Sequence, residues 1–421
     1  MPVLRRILVD VHDARQRALL RKPGVERAAA DIGQAFPLAL PGSPRQTMPA
    51  GQPPDSAGPA DLRRQTIWVE TIVHYWRRGM SATAIALAAA AILADPSIEM
   101  FLVGDEARLH LALRQAGVSA PDRLQIRHAP EVIGMDESPA SAIRQKKGAS
   151  MRVCFDLARQ GEVDAVVTAG NSGAAMAGAL LVLGRISGVE RPGIVTTFPT
   201  QTGQCVLLDM GANVDPKPSA LAQFSVLGAS YAHFLHGKAR PRVGLLSNGS
   251  EEHKGTALTR EAHQLLTRAG TEGREAVFQY LGYVEGRDIF RGRVDVVVTD
   301  GFTGNVLLKT CEGLVEWLTQ AIREEVKRGR AIEKLGALLM RPALRRFRQR
   351  SDYAETGGAP LVGVDGVVVI CHGSSDGRAI SNGVRTACSL VRAHFRQEMV
   401  RALAEHGYLW QEEAPIGTGG V

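Results

Sequence analysis

Leu208-Asp209-Met210-Gly211-Ala212-Asn213-Val214-Asp215 is the stretch that decides the fold, with a later counterpart in Val298-Thr299-Asp300-Gly301-Phe302-Thr303-Gly304-Asn305. In each, an apolar run stops abruptly at Asp, Gly and Asn. A buried parallel strand ends this way when it delivers polar groups to the carboxyl edge of a sheet, where open α/β folds bind ligands. The same layout returns on either side. The run 164–168 leads into Ala169-Gly170-Asn171, 243–246 into Ser247-Asn248-Gly249, and 367–370 into Cys371-His372. Further strands are predicted over 98–103, 194–197, 205–208 and 294–299, and helical spacing over 82–94 and 138–160. Strands that alternate with helices predict an α/β fold whose sheet is mostly parallel and covered on both faces.

Composition narrows the class. The chain has 421 residues, enough for one large α/β domain with additions, and its 45% apolar content is ordinary for a globular protein. Aromatics make up only 5%, so Ala, Val, Leu and Gly must build the core. The formal charge of +7 suits an acidic partner or an anionic membrane surface. Nucleic acid is the weaker reading, because no basic stretch is interleaved with aromatics and no zinc-finger spacing occurs. The five cysteines, Cys154, Cys205, Cys311, Cys371 and Cys388, form no C-x-x-C pair, which fits free thiols in a reducing cytoplasm. No apolar run reaches membrane-spanning length, and no secretory signal is read at the N-terminus.

Two segments depart from the α/β rhythm. Residues 1–62 read as a disordered or foreign extension, with Pro41, Pro44, Pro49, Pro53, Pro54 and Pro59 crowded into a region too polar to offset chain entropy. The expected domain is 63–412, with a flexible tail over 413–421. Within it, residues 322–350 carry Arg323, Lys327, Arg328, Arg330, Lys334, Arg341, Arg345, Arg346, Arg348 and Arg350 around Leu335, Leu338, Leu339, Leu344 and Phe347. This predicts a basic amphipathic helix pair with a bend near Pro342. Such a pair is either a solvated hairpin at a subunit interface or a surface for anionic lipid or an acidic protein.

The strand ends hold the candidates for chemistry. Asn171, Ser172 and Gly173 form a small-residue turn that opens a helix, where backbone N–H groups and the helix dipole favour an anion. Strand-to-helix turns need glycine anyway, so this turn alone is a weak signal. Asp209 and Asn213 follow the next strand; Lys254 sits in the loop after Leu246. Asp300, Thr303 and Asn305 follow another strand, with Lys309 a turn further on, and His372 and Ser374 follow the last. Any one group could be a mere polar cap, but several at one sheet edge argue for a shared site. Lysines, amides, hydroxyls and backbone N–H groups suit phosphate and a developing oxyanion. H-E-x-x-H, a carboxylate cluster with metal spacing, G-x-G-x-x-G with a distant acid, and the Walker order are all absent from the sequence. His372 is the best lone general acid/base, or else a helix-capping histidine.

At these residues the sequence resembles the bacterial acyl-[acyl-carrier-protein]:phosphate acyltransferases. The resemblance runs from Leu102-Val103-Gly104-Asp105 to about Asn382. It includes Ser150-Met151-Arg152, Ala169 to Gly173, Glu190-Arg191-Pro192, Leu208 to Asp215, Gly282 to Asp288, Asp300 to Asn305 with Leu308-Lys309-Thr310, Gly357 to Pro360, and His372 to Asp376. It implies a Rossmann-like α/β/α sandwich with the basic hairpin protruding from it. It also implies a cytoplasmic homodimer, peripheral on the membrane, with contact to the downstream membrane acyltransferase and no metal or organic cofactor. The implied reaction is attack of inorganic phosphate on the acyl thioester of acyl carrier protein. In that reading Lys254 and Lys309 neutralise phosphate, and Asn171, Asn213 and Asn305 donate hydrogen bonds. Asp209 and Asp300 orient these groups, and His372 faces the leaving thiolate.

One departure bears on activity. Where the family carries Asp-x-Met-Gly-Gly-Asp, a phosphate-site loop, this chain reads Gln65-Thr66-Ile67-Trp68-Val69-Glu70 and on to Trp76. The alternation suits a strand. The departure is either genuine divergence or a slip of reading frame, which the coding DNA decides. The alternative function is therefore an impaired homologue that binds carrier protein or membrane without turnover.

Overall fold

The structure is a computed structural model. It describes residues 67–69, 95, 97–115, 117–118, 122–269, 276–351, 358–372, 375 and 377–411. The helix expected over 82–94, Ser374 and the two terminal segments lie outside the described residues.

Most strands are parallel, as the alternating pattern requires, but they divide into two sheets. The first is ordered β3 (Leu124–His128), β2 (Met100–Gly104), β1 (Ile67–Val69), β4 (Ala165–Thr168), β12 (Val367–Ile370), β11 (Ala359–Val362) and β5 (Gly193–Ile194). All its pairs are parallel except those of β11 with β12 and β5. The second is ordered β6 (Thr196–Pro199), β7 (Gln204–Leu208), β10 (Val296–Val298), β8 (Arg242–Leu246) and β9 (Gln279–Val284), antiparallel only between β6 and β7. The segment 194–197, expected as one strand, is therefore two. Ile194 ends β5 in the first sheet, Thr196 opens β6 in the second, and only the buried Val195 lies between them. Pairing partners, which are tertiary, make the split.

The helices are α1 (Glu106–Gln115), α2 (Pro139–Gln145), α3 (Ser150–Arg159), α4 (Ser172–Gly178), α5 (Pro218–His236), α6 (Ala257–Leu266), α7 (Gly286–Arg291), α8 (Gly301–Arg328), α9 (Ala331–Ser351), α10 (Gly377–Arg392) and α11 (Phe395–Glu405), of which α9 stays exposed along nearly all of its described side chains. The helical pattern over 138–160 is broken by Lys146 to Ala149 into α2 and α3. The basic pair turns at Gly329-Arg330 rather than near Pro342, which lies inside α9; Gly329 leaves the helix in an extended conformation.

The two-residue period of the strands sorts their side chains between two cores. From β7, Val206 and Leu208 join the larger core, while Cys205 and Leu207 face a smaller one; β10 divides likewise, with Val296 and Val298 against Val297. Helix α5 is buried on every side from Ala220 to Ala232, as a helix apolar all round must be. It packs on β7 and β10, and Gly228 lets the backbone approach Val296, whose Cγ1 would lie 2.7 Å from an added Cβ.

The start of β8 is held by a buried ion-paired carboxylate. Asp295 receives Arg242 Nε at 2.9 Å, Arg242 Nη2 at 3.1 Å and Lys238 Nζ at 2.9 Å. Burial raises its pKa, but the Arg242 and Lys238 bonds outweigh that and bring it from 3.8 to about 2. A depressed carboxylate stabilises the fold above its unfolded pKa and loses that contribution as pH falls through its folded one. Asp295→Asn should therefore cost about 2 kcal/mol at neutral pH and flatten the loss of stability between about pH 4 and pH 2, read by denaturant melts across pH.

Candidate active site

Parallel strands that enter from one side leave their loops on one edge. In the second sheet the loops after β7, β8 and β10 carry Asp209 to Asn213, Ser247 to Gly255, and Asp300 to Asn305. In the first sheet β4 and β12 pair in parallel, so Asn171 and His372 emerge side by side. His372 senses the charges of Lys309 and Glu312 on α8, which places the two edges within electrostatic reach.

The first edge is a capped turn. Asn171 Oδ1 accepts from Ala174 N–H at 3.1 Å and so caps α4. Its Nδ2 donates to Gly134 O at 3.1 Å. The residue is buried, and its amide is committed to the turn. Ser172 and Gly173 beside it are exposed.

Asp209 anchors the second edge. The Leu208–Asp209 peptide is cis, and the carboxylate is wholly buried. Its Oδ1 accepts from Ile194 N–H at 2.9 Å, Ala212 N–H at 3.0 Å and Gly211 N–H at 3.3 Å. Its Oδ2 accepts from Asn213 N–H at 2.7 Å and Asn213 Nδ2 at 2.9 Å. Burial, the largest effect, pushes its pKa up from the ordinary carboxylate value; the donors from Ile194, Ala212 and Asn213 pull it back. Asn213 Nδ2 also donates to Pro192 O at 2.7 Å, so both its amide hydrogens are engaged. Gly211 takes a φ of 129°, a region where a side chain is strained, and the Asn305 side chain lies beside it.

Helix α8 begins against this loop. Asp300 caps it, Oδ1 accepting from Thr303 N–H at 2.8 Å and Oδ2 from the Thr303 hydroxyl at 2.7 Å. Gly301 N–H donates to Asn213 O at 2.7 Å. One turn in, Asn305 is exposed, and its side chain has no hydrogen-bond partner among the described residues. Lys309 Nζ lies 2.8 Å from Glu312 Oε2. After β8, Asn248 Oδ1 accepts from Gly255 N–H at 3.0 Å and closes the loop that holds Lys254. The Lys254 side chain packs over Gly249, and its charge, after a backbone hydrogen bond, helps keep the Glu251 carboxyl low. His372 is accessible, yet part of its ring is desolvated. That desolvation first, and the Lys309 charge second, lower its pKa below the usual histidine value, while Glu312 opposes them.

The predicted residues thus fall into two groups. Asn171, Asp209, Asn213, Asp300 and Thr303 spend their side chains on protein partners. Lys254, Asn305, Lys309 and His372, with Ser172 and Gly173, present accessible groups. The sequence reading did not single out Glu312, although its spacing of three residues from Lys309 on a helix is a pairing signal. Among the described residues, no group of three or more His, Cys, Asp or Glu is placed to hold a metal ion.

Cations, an amide and small-residue turns thus stand at the strand ends of an α/β protein. Comparisons with known proteins give the family. The family model described as "Fatty acid synthesis protein" matches residues 80–398. A phosphate acyltransferase of Syntrophotalea carbinolica is 51% identical over 306 residues, covering 73% of this chain and 86% of the relative. One of Myxococcus xanthus is 49% identical over 327 residues, covering 77% and 90%. A phosphotransacetylase structure from Streptococcus pyogenes aligns with a TM-score of 0.48 at 16% identity, covering 74% of this chain and 91% of that one. The chain belongs to the fatty acid synthesis protein family.

Proposed function

We propose that this protein transfers a fatty acyl group from acyl carrier protein to inorganic phosphate, giving acyl phosphate for phospholipid synthesis. The observation that carries the proposal is the docking of the helix that bears Asn305 and Lys309 against the Asp209–Asn213 strand-end loop, in a chain of this family. A phosphate oxygen attacks the thioester carbon. The new C–O bond leaves a tetrahedral oxyanion, whose collapse breaks the C–S bond and releases the carrier's thiolate. Phosphate is itself the nucleophile, so the protein has to hold a dianion beside the carbonyl, offset its charge and stabilise the oxyanion.

Lys309 and Lys254 are assigned to phosphate. Asn305, the backbone N–H groups at Ser172 and Gly173, and Ser374 are assigned as donors to phosphate or the oxyanion. Held toward its neutral form, His372 is assigned to take the proton of the attacking hydrogen phosphate and return it to the departing thiolate. Asn171, Asp300 and Thr303 contribute by building the turns that aim these groups.

The helix pair supports a peripheral role. Trp317, Leu335, Leu339 and Phe347 are 65%, 56%, 74% and 62% exposed, with Arg341, Arg345 and Arg346 exposed on α9. No helix among the described residues is long and apolar enough to cross a membrane. We assign this face to a second copy of the chain and to an anionic surface, either lipid or acidic carrier protein, in a cytoplasmic homodimer that touches the membrane. The downstream membrane acyltransferase is the partner this placement would serve.

The test is thiol release from a long-chain acyl carrier protein by purified protein. Release that depends on inorganic phosphate and saturates with it is the expected result. A folded protein that binds carrier protein without releasing thiol would sink the enzyme reading and leave the impaired homologue.

A further inference from the structure

The first sheet carries His372 and the Ser172 turn; the second carries Lys309 and Asn305. The chain passes between the sheets through Pro192 to Thr196, so the relative placement of the two half-sites depends on how that crossover is fixed. It is fixed by the loop after β7. Asn213 Nδ2 reaches Pro192 O at 2.7 Å, Ile194 N–H reaches Asp209 Oδ1 at 2.9 Å, and Met210 N–H reaches Ile194 O at 3.0 Å. The far side of the same loop receives α8 through the 2.7 Å bond from Gly301 N–H to Asn213 O. Gly304 lies against Asp209 O so closely that a methyl group would collide with it. One five-residue loop thus bridges the crossover on one side and the helix that carries Lys309 and Asn305 on the other.

We propose that Asn213, braced by the buried Asp209, is a positioning residue: it locks the crossover to α8 and so sets the distance across the cleft between the two half-sites. The inference rests on the acyl-transfer reading, and it changes Asn213 from a ligand of phosphate to a bracket behind the site. Its amide hydrogens are both engaged by protein acceptors, which leaves none to offer a substrate.

The experiment compares Asn213→Ala with wild type, alone and on Lys309→Ala. Misplacement by an ångström costs about 10²-fold in turnover, so kcat should fall by about that factor. KM for phosphate and for acyl carrier protein should stay within about twofold, the spread expected of uncoupled changes. On Lys309→Ala the further loss should shrink well below 10²-fold, because the bracket has less left to align. Amide exchange at Ile194 and Gly301 should quicken, which can be read even in a protein without turnover. If Asn213→Ala does not fold, Asn213→Ser, which keeps one donor, should show the same pattern at smaller size. Three results would overturn the proposal. One is a raised KM for phosphate at unchanged kcat, which marks a direct ligand. Another is an undiminished loss on Lys309→Ala, which marks a general structural role. The third is unchanged exchange at Ile194 and Gly301. Absence of phosphate-dependent turnover in wild type would instead count against the acyl-transfer reading, and the exchange result would still judge the bracket.

Discussion

Lys309→Ala should lower kcat/KM for phosphate by about 10²–10³-fold, the usual loss when one preorganised charge or donor leaves a transition-state site. The ammonium is half-exposed and pairs with Glu312, so it is ordered yet reachable by a dianion. The same substitution has a second signature. Lys309 is one of the two influences that hold the His372 pKa down, and Glu312 pulls it up. Without Lys309 the imidazole protonates more readily, so the acidic limb of the pH–rate profile should move to higher pH. Glu312→Gln should move it to lower pH. Steady-state rates across pH on the three proteins check both directions. A Lys309→Ala protein with the wild-type limb would separate the two residues and remove the shared cleft.

Gly304→Ala should be the most damaging single methyl in the domain. Its added carbon would fall inside contact distance of Asp209 O and 3.2 Å from Met210 Sδ. Backbone cannot rotate away as a side chain can, so the strain should reach or exceed the ~1–3 kcal/mol of ordinary overpacking. Helix α8 would have to lift from the loop and take Asn305 and Lys309 with it. Gly313→Ala on the same helix is the control. No atom lies within 4 Å of its added carbon, and alanine favours a helix by about 1 kcal/mol over glycine. Thermal melts should therefore show a loss at 304 and a neutral or positive change at 313. Equal melting temperatures would mean that α8 does not dock as described.

These effects follow from contacts that a sequence displays unevenly. Strands β4, β7, β8, β10 and β12 were legible because a buried parallel strand is a continuous apolar run with a polar stop. Strand β3 was not: Leu124 is buried, but Gln125, Arg127 and His128 face outward or are only partly covered, and the run reads as loop. Strand β9 is interrupted by Gly282 at a φ of 83°, which shifts its register against β8. Strand β11 holds Pro360, which has no N–H to donate, and it sits opposite Val369 in an antiparallel pair. The segment over Ile67–Val69 does form a strand, between β2 and β4 at the middle of the first sheet. Of residues 65–76, where the family phosphate loop would fall, only 67–69 are among the described residues, and the family match starts at residue 80.

Within the site, residue types were easier to predict than their directions. Asn171, Asn213 and Asn305 look alike in sequence, each after a strand and within two residues of a glycine. Tertiary placement separates them. Asn171 caps α4 and holds Gly134, Asn213 holds the crossover, and Asn305 faces out. An amide bonds equally well to a backbone carbonyl or a phosphate, so spacing alone cannot tell a bracket from a ligand.

The central claim is that phosphate oxygen becomes bonded to the acyl carbon. Oxygen-18 phosphate and long-chain acyl carrier protein, incubated with the purified full chain and followed by mass spectrometry, test it most directly. The account predicts acyl phosphate that retains the label, formed in step with free carrier thiol and weakened in Lys309→Ala. Unlabelled fatty acid as the first product, released at the same rate without phosphate, would contradict it and make water the nucleophile.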